Sequence, residues 1–161
     1  MIEAANRLAR ILGSVPPRLC NISEGDAARR SAPGRWSKKE ILGHLIDSAA
    51  NNHIRFVRAA LEPEYRGTGY AQNAWVDLHG YQDMPWHSIL ILWLQLNDLL
   101  ASLIARIPEN RMETQCFIGS APPVTLAFLI EDYILHMQHH VDHMLKRERV
   151  TAYPSAAGQP K

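Results

Sequence analysis

The stretch Ser37-Lys-Lys-Glu40-Ile-Leu-Gly-His44-Leu-Ile-Asp47-Ser48-Ala-Ala-Asn51-Asn-His-Ile-Arg55-Phe56 decides how this chain folds. It opens with a capping box, in which the Ser37 hydroxyl and the Glu40 carboxylate satisfy amide groups that the first turn leaves without partners. Ile41, Leu42, Leu45, Ile46, Ala49 and Phe56 then recur at helical spacing, so the segment is expected to be helical to about Ala60. At about 100° per residue, with Leu45 as zero, Ser48 falls near −60°, Arg55 near −80°, His44 near −100° and Asn51 near −120°. These four residues make a polar stripe along one flank of an apolar face. Asp47, near −160°, points away from the apolar centre and reads as a solvated carboxylate or a site residue.

The same period recurs on both sides of this segment. A first helix spans roughly Ile2 to Leu12 and is ended by Gly13 and the Pro16-Pro17 pair. Residues 61–83, with Pro63, Gly67, Gly69 and Gly80, read as a long connection with a short helix near Ala74 to Leu78. A third long helix starts near Pro85 and continues through Leu90, Trp93, Leu100 and Ile104 to Pro108. Met112 to Val124 reads as a short hairpin or a loop, and Thr125 caps a last helix running to about Arg149. Thr151 to Lys161 form a loosely held tail. Four amphipathic helices, two of the joins between them long, predict an all-α four-helix bundle in one domain over residues 1–150.

Composition narrows the function. The 161 residues carry 17 Lys plus Arg against 16 Asp plus Glu, a formal charge of +1, so no basic excess is present to neutralise nucleic acid. The longest apolar run, Ile89 to Leu94, soon meets Gln95, Asn97 and Asp98, and no membrane span is expected. The first residues mix acid and base within an amphipathic pattern unlike a signal peptide, which predicts a cytoplasmic protein. Cys20 and Cys116 have neither disulfide nor metal spacing and are expected to be reduced thiols.

The chain has eight histidines, of which His136, His139, His140 and His143 fall close together in the last helix. Taking Met137 as zero, His140 lies near −60° and His136 near −100°, beside the apolar face, whereas His143 near −120° and His139 near −160° turn outward. His136 and His140 have the i, i+4 spacing that brings two imidazoles to one metal ion, and His44 occupies the matching flank of the second helix. From spacing alone, such a pair is more often solvated or hydrogen-bonded than metal-ligating. His53 and His87 read as surface residues, and His79 has no partner legible in the sequence.

Together these residues resemble the DinB-like superfamily of four-helix metalloproteins, and within it the YfiT-like branch of metal-dependent hydrolases. His44-x-x-Asp47-Ser48-x-x-Asn51-x-x-x-Arg55-Phe56, Tyr70 followed by Ala74-Trp75, and Tyr133-x-x-His136-x-x-His139-His140-x-x-His143 match its motifs in order, from about Trp36 to Met144. The resemblance implies an up-down-down-up bundle, frequently a homodimer, with His44, His136 and His140 holding a divalent metal in an open groove. Zinc, nickel or iron(II) would suit three neutral imidazoles. Such a centre is expected to act on a small molecule by hydrolysis, or to transfer a low-molecular-weight thiol as some relatives are thought to do. Asn51 is the candidate for binding substrate or water, and Arg55 for an anionic group. The alternative is a bundle that binds a ligand without catalysis, or one whose metal is structural, sealed by a fourth ligand such as His143.

Overall fold

The computed structural model describes residues 2–146; the tail expected over 151–161 lies outside them. Four long helices, α1 (Ile2–Ser14), α4 (Lys38–Leu61), α6 (Trp86–Arg106) and α7 (Leu126–Met144), carry the fold. Short helices α2 (Pro16–Cys20) and α3 (Glu24–Ala28) join the first two, and α5 (Gln72–His79) lies in the long connection. The expected boundaries of α1, α4 and α6 hold within a few residues, whereas α7 ends at Met144, short of the expected Arg149, which lies outside the described residues; the Ser37–Glu40 capping box forms in full. The Thr125 hydroxyl caps α7 by accepting the Phe128 amide at 3.1 Å.

α4 packs chiefly on α6 and α7, and α1 on the same two helices, so α1 and α4 face each other across the core. Side chains fix the directions. The Glu24 carboxylate accepts the Trp86 amide at the start of α6 and pairs with Lys39 at the start of α4, so these two helices begin at one end and run parallel. Arg7, in the middle of α1, reaches Glu131, early in α7, at 2.7 Å, and Ser14 at the end of α1 shares a cleft with Gln138, further along α7, so these two helices run parallel. His44 near the start of α4 meets His136 and His140 in the second half of α7, which sets those helices antiparallel. The order is therefore up-down-down-up.

Parallel neighbours cannot be joined by a tight turn, which explains the length of the α4–α6 connection. It contains a strand that periodicity does not reveal, β1 (Tyr65–Gly67), pairing in parallel with β2 (Gln115–Ile118), and β2 pairs antiparallel with β3 (Val124–Thr125). The hairpin reading of 112–124 holds. The parallel partner is the addition, and it follows from α4 and α6 ending at the same pole.

Leu8, Leu42, Leu45, Phe56, Trp93, Leu100, Ile104, Ile130 and Met137 form the centre of the core. α6 is long and apolar enough, by length and composition, to cross a membrane; here it is a bundle helix, with Trp93, Leu100 and Ile104 wholly buried. Trp86 and Trp93 are both core residues, and the large apolar side chains left exposed on α6 are Ile91, Leu92 and Leu99. Asn97, polar within the apolar α6, is buried, with its amide on the Trp93 carbonyl at 2.7 Å and its oxygen accepting the Tyr133 hydroxyl. Cys116 is buried and Cys20 exposed, both as free thiols.

Candidate metal centre

Helix α4 presents His44 and helix α7 presents His136 and His140, one turn apart. The antiparallel packing of their flanks brings the three rings together. His44 Nε2 and His140 Nε2 each lie 3.1 Å from His136 Nε2, and the ligand atoms of all three fall within 4.8 Å of one another. His44 and His140 are buried and His136 is half-buried. The rings meet edge to face at centroid distances of 4.6 to 5.0 Å, so the nitrogens converge while the ring faces do not stack. Trp36 packs over His44 at 5.1 Å.

The electrostatics match this geometry. Burial, then the neighbouring imidazoles, pushes His44 down to about 3, His136 to about 4 and His140 to about 2. All three are neutral at pH 7 and offer lone pairs. Nitrogens bound at about 2.05 Å to a tetrahedral ion stand about 3.3 Å apart, close to the 3.1 Å that separates His136 Nε2 from each of the other two. The donor set therefore fits a divalent ion. His44 Nδ1 is buried without a hydrogen-bond partner, so packing against Trp36 orients this ring in place of the outer hydrogen bond usual for ligand histidines.

The other residues singled out from sequence separate. The Asn51 amide donates to the Asp47 carbonyl at 2.8 Å, back onto its own helix. Arg55 donates to Asn52 Oδ1 at 3.4 Å and to the Thr68 carbonyl at 3.5 Å. Neither is hydrogen-bonded to an imidazole, although both keep the polar flank expected of them. His139 is half-buried beside His140, at a ring distance of 5.4 Å. His143 is exposed and, with Trp36, Lys38 and Asp142, lines a neighbouring cavity of about 350 Å³. Among the described residues the ligand group comprises His44, His136 and His140.

Two residues left open by the sequence find their partners. Of the two readings of Asp47, the solvated carboxylate falls: the residue is 2% exposed, and its Oδ1 accepts the Tyr81 hydroxyl at 2.7 Å. His79 has a partner after all, with Nδ1 lying 3.0 Å from the same Asp47 oxygen. Tyr70, also from the connection, bonds with Ser48, and its hydroxyl is pushed up to about 12 by burial and the Asp47 charge. These contacts cover the side of α4 that the helical wheel left open. The sequence signal for them is Gly43, where a Cβ would come within 2.1 Å of the Tyr81 ring. A glycine on this helix face marks the close approach of another segment.

Comparisons with known proteins agree with this architecture. A family model described as the DinB superfamily matches residues 7–144. The chain is 23% identical over 154 residues to "Putative metal-dependent hydrolase YfiT" of Bacillus subtilis (strain 168), covering 91% of this chain and 85% of the relative. It is 27% identical over 124 residues to "Putative metal-dependent hydrolase OB0782" of Oceanobacillus iheyensis, covering 77% and 70%. The solved structure of Bacillus subtilis YfiT, described as a probable metal-dependent hydrolase with an unusual four-helix bundle topology, superposes with a TM-score of 0.75 at 21% identity over 88% of this chain and 84% of that one. The chain belongs to the DinB superfamily.

Proposed function

We propose that this protein is a metal-dependent hydrolase of a small molecule, with His44, His136 and His140 as the protein ligands of a zinc, nickel or iron(II) ion. The observation that carries this reading is the convergence of three neutral Nε2 atoms from two helices. The names of the relatives point the same way. A bound divalent ion would supply Lewis acidity and lower the pKa of a coordinated water towards neutrality. The chain's own residues do the rest. α4 and α7 hold the imidazoles before the ion arrives, and burial keeps them unprotonated. Arg55, tethered at the mouth of the β1 connection, is the group we assign to an anionic part of the substrate, and Asn51 retains its side-chain oxygen for a substrate donor.

Transfer of a low-molecular-weight thiol would draw on the same centre. Cys116 would not serve as that thiol, because burial pushes its pKa up to about 11. A panel of esters, amides and thiol-plus-electrophile pairs, assayed with metal-loaded and stripped protein, separates the reactions. Hydrolysis that vanishes on stripping and returns with the metal supports the proposal; turnover only with an added thiol replaces it by the transferase reading.

We also assign the exposed strip of α6 to a second copy of the chain. Leu92, Leu96, Leu99 and Leu103 repeat at the four-three-four spacing of a helix-pairing seam, and Leu92 and Leu99 are exposed. Light scattering should give a dimer for the wild type and a monomer for Leu92→Glu/Leu99→Glu; a wild-type monomer contradicts the assignment.

A further inference from the structure

The α4–α6 connection brings a second polar group against α4, at Asp47, about 60° around the helix from His44. Gly80, with φ at 63°, ends α5 and turns the chain so that the two residues flanking it, His79 and Tyr81, reach one carboxylate. The missing side chain at Gly43 lets Tyr81 approach. The His79 ring packs between Trp75 at 5.8 Å and Tyr81 at 5.2 Å, and its side chain remains 45% exposed, whereas that of Asp47 is 2% exposed. A buried carboxylate thus grips the Nδ1 side of a half-exposed imidazole.

That arrangement has defined chemistry. An acceptor at Nδ1 places the proton of the neutral ring there, leaves the Nε2 lone pair available, and stabilises the imidazolium when Nε2 takes a proton. Asp47 Oδ2 is buried with no hydrogen-bond partner. A charge pair serving stability alone gains nothing from an unsatisfied buried oxygen, which costs free energy. Asp47 also lies three residues beyond His44, less than one turn of α4. Ser48, beside it, is bonded to Tyr70. The titratable groups around the imidazole are Asp47 from α4, Tyr81 from the turn after α5, and Tyr70 behind Trp75.

We propose that Asp47 and His79 form a general-base dyad serving the hydrolysis assigned above, on substrates with an ester or amide carbonyl. His79 Nε2 takes a proton from the attacking water, whose oxygen bonds to the acyl carbon. The bond from that carbon to the leaving oxygen or nitrogen then breaks, and the leaving group takes the proton back from Nε2. Asp47 is a positioning residue that holds the competent tautomer. This inference rests on the hydrolase reading, but the tautomer can be measured without it.

Nitrogen-15 NMR of histidine-labelled full-length protein should show His79 protonated at Nδ1 and bare at Nε2, with Asp47→Asn giving a mixture of tautomers. An Nε2–H tautomer in the wild type overturns the dyad. With p-nitrophenyl acetate as probe, His79→Gln should lower kcat by about a hundredfold while KM, metal per chain and melting temperature stay at wild-type values. A kcat within twofold of wild type, with metal retained, overturns the dyad and leaves the hydrolase reading standing. Metal-loaded wild type that does not hydrolyse the probe overturns both, even if the tautomer is as expected.

Discussion

The two flanks of α4 solve the burial of polar side chains in different ways. Towards α7, His44 meets two more imidazoles, and three neutral nitrogens point at one another. Towards the α4–α6 connection, Asp47 meets a phenol and an imidazole, a donor set that matches its charge. The first flank is complementary to a cation that is not part of the chain, and the second is largely complementary to itself. Charge complementarity thus assigns the metal centre to the α7 side, although both flanks contain histidine.

Breaking the α7 flank should have the largest effect. His140→Ala removes a donor and leaves two ligands on different helices, so stoichiometric metal should be lost on dialysis. His79→Gln, on the other flank, should keep it. Equal metal in wild type and His140→Ala would erase the difference between the flanks. Elemental analysis of both variants checks this.

A pH series sharpens the comparison. Burial first, then neighbouring imidazoles, holds the three ligand candidates below the ordinary 6.5, so the unfolded chain binds protons that the folded chain refuses. Metal-free protein should keep full stability above pH 6.5 and lose it as the pH falls towards 4, with a further loss towards 2. His140→Gln should flatten that slope in urea denaturation.

Against the α4–α6 connection, Gly43→Ala would force a methyl group into the Tyr81 ring. It should cost about 1–3 kcal/mol by overpacking, read as a lower urea midpoint, and should displace His79 with little change in metal content. Ser37→Ala is the smallest change. It deletes the hydroxyl that caps α4 and should cost about 1 kcal/mol without distinguishing the flanks; a selective loss of metal would show that the α4 start is coupled to the centre.

What the sequence revealed follows from the same division. The Ser37–Glu40 box, the apolar period of α4 and the positions of His44, His136 and His140 on matching flanks are all local, and each is legible at 3.6 residues per turn. Asp47 stayed open between a solvated carboxylate and a site residue because its partners Tyr81 and His79 lie more than thirty residues away and cover a helix face that periodicity assigns to solvent. The parallel β1–β2 pair was invisible for a related reason: Tyr65 and Cys116 meet only because two parallel helices end together. Asn97 could not be oriented until Tyr133 arrived from the facing helix. Each miss is a long-range contact carried by one or two residues, too few to leave a pattern along the chain.

The central claim is a metal held by His44, His136 and His140, and elemental analysis of untagged wild-type protein beside His140→Ala tests it most directly. The account predicts close to one divalent ion per wild-type chain and almost none in the variant. Wild-type protein with no stoichiometric divalent ion, or a variant that binds as much as the wild type, would contradict it.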